Sequence, residues 1–84
     1  MTRAELKIEL DKINIPENYY SLYDELMPDR IVVYHNYSQW EVFYYERGSR
    51  NNEKIFLSED AACKYVLNYF IDLKQWSEEF GRPL

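Results

Sequence analysis

The sequence contains little cysteine, histidine or glycine, and each shortage excludes a class of function. Its 84 residues include one cysteine, Cys63, one histidine, His35, and two glycines. One histidine and one cysteine are fewer than the four N or S ligands of a structural zinc site. The sequence also has no calcium-loop pattern and no glycine-rich phosphate loop. We therefore predict that the protein binds no metal and no cofactor.

The same shortage leaves few groups for catalysis. A nucleophile pair would require Cys63 and His35 to meet, and Cys63 lies on a predicted buried stripe, where a cysteine is usually an inert small hydrophobe. A pair of catalytic carboxylates would need a desolvating cleft, and no spacing in the sequence singles out such a pair. We predict a protein that is not an enzyme. An enzyme that uses His35 with a nearby carboxylate is the alternative we rank last.

A lone cysteine also restricts the compartment. Cys63 cannot form an internal disulfide, whereas small secreted domains usually rely on several. No apolar run approaches the ~20 residues of a membrane span, and the charged N-terminal segment lacks the apolar stretch of a signal peptide. We expect a cytoplasmic protein that does not bind membranes.

The charge of the chain bears on its partners. The 15 acidic and 10 basic residues give a formal net charge of −5. A nucleic-acid backbone repels such a chain, so a basic or neutral protein fits better as a partner than directly bound nucleic acid. With 46% hydrophobic residues and the length of one small domain, residues 1–84 are predicted to fold as a single domain. The oligomeric state, monomer or dimer, stays open.

Two segments have the signals of helices. Thr2 and Glu5 have the spacing of a capping box, and the apolar residues that follow predict a helix that ends at Ile13. Ser58 is the predicted N-cap of a last helix, whose broad apolar stripe runs to about Gln75. The residues after that helix break the pattern, and we expect them to pack loosely.

Three segments between the helices favour strands. Residues 30–37 and 39–45 are β-branched and aromatic, and the tight turn at Tyr37-Ser38 permits only an antiparallel hairpin. The polar residues 47–52 are predicted to form a loop, with Gly48 as a turn residue of positive φ. Residues 54–57 are predicted to form a third, edge strand.

These elements together predict an α+β fold. An N-terminal helix is followed by a three-stranded antiparallel meander sheet and a C-terminal helix, which packs on one face of the sheet. Residues 17–27 form either a loop or a short irregular helix before the first strand. The sequence shows no repeat and no linker.

Tyrosine is the most unusual feature of the composition, with nine copies in the chain. It offers a large apolar face and a hydroxyl group, and is therefore enriched in protein interfaces, although about half of these tyrosines are expected to fill the core. If the charged Glu41 marks the solvent side of its strand, then Phe43 and Tyr45 lie on that side too. The same alternation exposes Tyr34 on the neighbouring strand. A bulge would exchange the two faces.

This alternation predicts an exposed patch of Tyr34, Phe43 and Tyr45 edged by Glu41, with the adjoining turn at its border. We expect alanine at Phe43 and Tyr45 to weaken binding of a partner without unfolding the protein. The predicted partner-binding residues are Tyr34, Glu41, Phe43, Tyr45, Glu46 and Arg47.

A second surface suggests an alternative function. Arg47, Arg50 and Lys54 form the one local basic cluster in this acidic chain. With the aromatic residues of the sheet, this cluster would suit a small regulatory or RNA-binding module. Because three basic charges are few for such a module, we interpret the segment first as a solvated turn.

Two strings in the chain resemble a known family. They are Trp40-Glu41-Val42-Phe43-Tyr44-Tyr45-Glu46-Arg47-Gly48 and Phe56-Leu57-Ser58-Glu59-Asp60-Ala61-Ala62-Cys63-Lys64-Tyr65. This pattern resembles small bacterial immunity proteins of polymorphic toxin and contact-dependent growth inhibition systems. In those proteins a W-x-V-x-Y-x-E-R-G strand leads through a loop to an F-x-S-E-x-x-A helix start. The resemblance covers about residues 30–70.

The resemblance implies a cytoplasmic antitoxin that binds a cognate toxin domain and blocks its active site or its access to substrate. Many toxin domains of these systems are basic nucleases, and an acidic, tyrosine-rich inhibitor would be steered towards such a target. Antitoxins against membrane-acting or nucleotide-consuming toxins would have a similar composition. We therefore expect a protein–protein inhibitor whose target is a toxin domain, most simply a nuclease.

Overall fold

The computed structural model of the protein describes residues 1–81. The fold is α+β, as predicted, with an N-terminal helix, a four-stranded mixed sheet and a C-terminal helix. The elements are α1 (Arg3–Lys12), a single 3₁₀ turn (Glu17–Tyr19), β1 (Tyr20–Ser21), β2 (Arg30–Asn36), β3 (Gln39–Glu46), β4 (Ser49–Phe56) and α2 (Glu59–Phe80).

Both helices begin at the predicted caps. The hydroxyl of Thr2 accepts a hydrogen bond from the Glu5 N–H at 3.2 Å, and the Glu5 carboxylate accepts one from the Thr2 N–H at 2.8 Å. The Ser58 hydroxyl likewise accepts a bond from the Ala61 N–H at 3.1 Å. Each bond satisfies a backbone donor that the helix leaves free in its first turn.

The end of α2 differs from the prediction. The helix continues past Gln75 to Phe80 and ends at Gly81, which adopts the left-handed conformation with φ 67°. The expectation that the helical pattern breaks after Gln75 is therefore wrong as far as Phe80, whereas residues 76–80 are mostly exposed, and residues 82–84 lie outside the described part. Glycine at this position is a common helix stop, because it adopts positive φ without a steric cost from Cβ.

The sheet contains one strand more than predicted. Its order is β1-β2-β3-β4, in which β1 is parallel to β2 and the other pairs are antiparallel. The prediction of three antiparallel strands is therefore incomplete. Because β1 has two residues, Tyr20 and Ser21, it is too short to leave an alternating pattern in the sequence.

β4 is longer than predicted, because the loop before it is shorter. Glu46 pairs with Ser49, so Arg47 and Gly48 alone form the connection, with φ of 51° and 76°. This is the geometry of a tight two-residue hairpin. The loop predicted for residues 47–52 is therefore wrong, although Gly48 has the positive φ expected of it. Most of β4 is polar and exposed, as is common in edge strands that avoid pairing with other chains.

Replacing Gly48 with alanine is expected to lower the free energy of unfolding by about 1 kcal/mol. A Cβ atom at Gly48 would meet no atom within 4 Å, so the loss comes from the backbone conformation alone. Urea denaturation followed by circular dichroism measures this change. Asparagine tolerates positive φ, and Arg47→Asn is therefore the control that should leave stability unchanged or slightly raised. Equal stability of Gly48→Ala and wild type would contradict this description of the turn.

The main core lies between the helices and one face of the sheet. Ile31, Val33 and Val42 point from β2 and β3 towards α1 and α2, which confirms the predicted inner face of both strands. On the helix side the largest buried residues are Leu6, Leu10, Val66 and Phe70. Both helices therefore lie on one side, and no helix formed by residues 1–81 covers the opposite face of the sheet.

Candidate functional site

The sheet face without helices carries four of the predicted partner-binding residues. Tyr34 lies opposite Glu41 across β2 and β3, and Phe43 and Tyr45 follow on the same side of β3. Strand alternation therefore grouped these four residues correctly. Their exposure differs from the prediction, because Phe43 is 1% exposed and Glu41 is 5% exposed.

Arg50 of β4 covers this part of the sheet. Its Nη1 donates to Glu41 Oε1 at 2.5 Å, and its guanidinium carbon lies 4.3 Å from the centre of the Phe43 ring and 5.3 Å from that of Tyr34. A guanidinium group stacks well on aromatic rings, because its charge attracts their π electrons and its plane is weakly hydrated. The expectation that Phe43 and Glu41 are exposed is therefore wrong. Tyr34 and Tyr45 are half-buried.

Two further polar residues, Asn36 and Glu53, contact the ion pair of Arg50 with Glu41. The Asn36 amide donates to Glu41 Oε2 at 3.1 Å, so both carboxylate oxygens have a partner. Arg50 also lies 3.5 Å from the Glu53 carboxylate. Beneath this polar layer, Val32 is fully buried next to Phe43. The outer face thus has a small apolar layer of its own, covered by the ion pair of Arg50 with the buried Glu41.

The last two predicted residues lie at the far end of the sheet. Glu46 ends β3, Arg47 begins the turn to β4, and both are exposed. Tyr34 lies towards the other end, near the turn that joins β2 and β3. The six predicted residues therefore do not form one continuous exposed patch.

Arg50 and Lys54 of the predicted basic cluster lie on opposite faces of the sheet. Arg50 pairs with Tyr45 and lies on the outer face, whereas Lys54 pairs with Val42, whose side chain belongs to the core on the helix side. A register shift in β4, where Asn52 has φ 54°, places these residues on opposite faces. Since Arg50 is also paired with Glu41, the residues of this segment do not form one basic surface.

The turn between β2 and β3 presents the most exposed aromatic residue in the described part of the chain. Tyr37 is 93% exposed and has φ 57°. Leu57 and Ile55 are 83% and 54% exposed, and Ile55 lies beside Glu41 on the side opposite Tyr34. We name Tyr34, Tyr37, Ile55 and Leu57 the hairpin surface.

Leu57 is exposed at a position where an apolar side chain commonly packs against the helix that follows. It directly precedes the N-cap Ser58, where an apolar residue commonly packs against the fourth residue of the helix. That residue is Ala62, which is fully buried, whereas Leu57 remains exposed. The exposure of Leu57 is therefore not explained by the start of α2.

The base of the hairpin is held to α1 by a stack of side chains. The ring of His35 lies parallel to that of Trp40 with centres 3.9 Å apart, and the Arg3 guanidinium carbon is 4.8 Å from the Trp40 ring. Arg3 also donates to Asp24 Oδ1 at 3.1 Å, and the same oxygen accepts from the His35 N–H at 2.6 Å. A rigid base lets the turn present Tyr37 at low entropic cost.

Sequence reasoning missed Tyr37, Ile55 and Leu57. For Tyr37 a signal was present, because a two-residue turn between strands exposes its side chains. For Ile55 no such signal existed, since its face depends on the bulge in β4 and on the register with β3.

A groove lies on the helix side of the sheet. Two cavities of about 410 Å³ and about 250 Å³ share Ile31, Tyr44 and Tyr69 as lining residues. Burial raises the pKa of the Tyr44 hydroxyl, and the nearby carboxylates of Asp29 and Glu46 raise it further. The groove thus has aromatic side chains in its lining and carboxylates near Tyr44.

Cys63 and His35 are the residues that were considered from the sequence for catalysis and metal binding. Burial raises the pKa of the Cys63 thiol to about 11, so Cys63 is neutral near neutral pH. A neutral thiol is a poor nucleophile and metal ligand. His35 is exposed and stacked on Trp40. Residues 1–81 contain no group of three His, Cys, Asp or Glu side chains placed to hold a metal ion.

Comparisons with known proteins give no match: no family model, no curated protein and no solved structure matches the chain. Over residues 1–81, no helix has both the length and the apolar character needed to cross a membrane.

Proposed function

We propose that the protein is an antitoxin of the immunity-protein kind, which binds a cognate toxin domain in the cytoplasm with the hairpin surface at the centre of the interface. The observation that carries the proposal is Tyr37, which is 93% exposed and has a positive φ of 57°. Tyr34, Ile55 and Leu57 add apolar area at the same end of the sheet.

Tyr37 contributes little to folding where it stands. A non-glycine residue with left-handed φ costs about 1–2 kcal/mol, and glycine or asparagine would form the same turn at lower cost. An exposed tyrosine also gains no burial energy from the fold. Local strain that brings no structural gain is typical of binding sites, where tyrosine is among the residues that contribute most energy.

The charge of the chain supports a basic partner. The net charge of −5 would attract a basic toxin domain over a distance and raise the association rate. Basic surfaces are common among proteins that cut nucleic acids, because their substrates are polyanions. We therefore propose a nuclease domain as the target.

The substitution Tyr37→Asn is expected to weaken binding to the toxin domain about tenfold or more, because it removes the central aromatic contact. The same substitution should raise the free energy of unfolding by about 0.5–1 kcal/mol, since asparagine tolerates left-handed φ. Isothermal titration calorimetry and urea denaturation measure the two effects. Opposite signs for binding and stability would separate a contact residue from a structural one.

The toxin domain is identified by capture with the tagged full-length chain and mass spectrometry. The captured protein is then expressed in bacteria alone or together with the chain. Growth should stop in the first case and recover in the second, and Tyr37→Asn should restore growth less well. Capture of RNA alone, a captured protein that is not toxic, or full protection by both Tyr37→Asn and Leu57→Ser would contradict the proposal.

A further inference from the structure

The groove on the helix side of the sheet is a concave feature separate from the hairpin surface. Its smaller cavity, of about 250 Å³, lies between the sheet and the second half of α2. A water molecule occupies about 30 Å³ in the liquid, so this cavity has room for one side chain and not for a folded element. A ligand for it is therefore a single side chain or a molecule of that size.

The lining of the smaller cavity is aromatic and acidic. Tyr19, Tyr44 and Tyr69 surround it together with the apolar Ile31, and Asp29 provides a carboxylate. No lysine or arginine among residues 1–81 lies within ion-pair distance of the Asp29 carboxylate. The carboxylate is thus available to an external cation.

The two ends of the groove differ in charge. Lys54 lines the larger cavity, whereas Asp29 lines the smaller one, and Glu46 lies close enough to Tyr44 to affect its hydroxyl. A cation is therefore directed to the smaller cavity, away from Lys54. Aromatic faces beside a carboxylate bind cations well, because the ring quadrupole and the negative charge attract the same group.

We propose that the Asp29 end of this groove binds an arginine side chain of the protein partner. Arginine fits better than lysine, because its planar guanidinium can lie against a tyrosine ring and donate two parallel hydrogen bonds to one carboxylate. A basic partner has such side chains on its surface.

The source of this arginine rests on the proposed function, but the groove itself can be tested without any partner. The probe is N-acetyl-arginine methylamide, and the control is N-acetyl-citrulline methylamide, which has nearly the same shape without the charge. Binding is followed by NMR chemical shifts of the backbone amides and tyrosine rings. Failure of this test would leave the antitoxin proposal standing, since that proposal is tested at Tyr37.

The arginine probe should bind with a dissociation constant of about 1–10 mM and shift the signals of Tyr19, Tyr44 and Tyr69. The citrulline probe should bind about fivefold more weakly or not at all. Asp29→Asn should reduce arginine binding to the citrulline level, and Tyr69→Leu should also weaken it. Asn accepts the φ of 59° at Asp29, so the variant should fold normally.

Three results would overturn the inference. Equal binding of the arginine and citrulline probes would show that the positive charge does not contribute to binding. Unchanged binding in Asp29→Asn, or shifts spread over other surfaces, would place the cation elsewhere. Tighter binding of N-acetyl-lysine methylamide than of the arginine probe would show that the groove prefers lysine to arginine.

Discussion

Replacing Phe43 with alanine is expected to lower the free energy of unfolding by about 3–4 kcal/mol. Phe43 is 1% exposed and lies between the neighbouring Val32 and the guanidinium of Arg50. Truncation removes the apolar burial of the ring and leaves a cavity that the strands cannot close. Because small domains have a total stability of about 5–15 kcal/mol, this loss is a large part of the whole. Urea denaturation followed by circular dichroism measures it.

Tyr45→Ala is the matched control for Phe43→Ala. The two rings contact each other edge to face with centres 6.3 Å apart, but Tyr45 is only half-buried. Its truncation should cost about 1 kcal/mol, since less area returns to water. A loss below about 1 kcal/mol for Phe43→Ala would mean that Arg50 does not cover the ring.

The second large effect is expected for Arg50→Ala, which should lower the free energy of unfolding by about 2–3 kcal/mol. The side chain of Glu41 is 6% exposed, so removal of Arg50 leaves a buried carboxylate with Asn36 as its remaining partner. The substitution also uncovers Phe43. Arg50 itself is 35% exposed, and water therefore screens the ion pair in part, which keeps the loss below that of a fully buried pair.

A double substitution separates charge from packing at this site. If the unpaired carboxylate causes most of the loss, Glu41→Leu in the Arg50→Ala background should recover part of it. Glu53→Gln is the control, because Glu53 lies farther from Arg50 and is exposed, so its loss should stay below about 0.5 kcal/mol. An effect of Arg50→Ala as small as that of Glu53→Gln would show that water already solvates Glu41.

The expected losses of stability in Phe43→Ala and Arg50→Ala determine which substitutions can test binding. Phe43 and Glu41 were predicted to contact a partner, but alanine at either position would disturb the fold. A loss of binding in such variants would therefore not identify a contact. Tyr37, Leu57 and Asp29 are exposed, and their replacement reports on binding without the loss of buried contacts.

The predictions that held rest on residues close together in the chain. The capping box of Thr2 and Glu5 and the N-cap Ser58 each join groups three residues apart, so their hydrogen bonds follow from local sequence. The Tyr37-Ser38 turn was likewise predicted from residues that are neighbours in the chain. The faces of β2 and β3 also followed from the sequence, because side chains alternate along any strand.

The predictions that failed depend on residues that meet only in the folded chain. Residues 49–53 are polar and have no strand pattern of their own, but β3 pairs with Ser49, Arg50 and Asn51 and draws the segment into the sheet. Phe43 is buried because Arg50 reaches it from the next strand, across a register that includes a bulge. Neither the register nor the bulge leaves a signal in the sequence.

Some features of the candidate sites are determined by the sequence, and others depend on the folded structure. From the amino-acid sequence come the acidic charge, the helix caps, the hairpin and the exposure of its two-residue turn, since each depends on composition or on neighbouring residues. The groove with Asp29, the ion pair of Glu41 with Arg50 and the separation of Arg50 from Lys54 arise from packing between strands and α2. Packing depends on distances between residues far apart in the chain, and these distances exist only once the chain has folded.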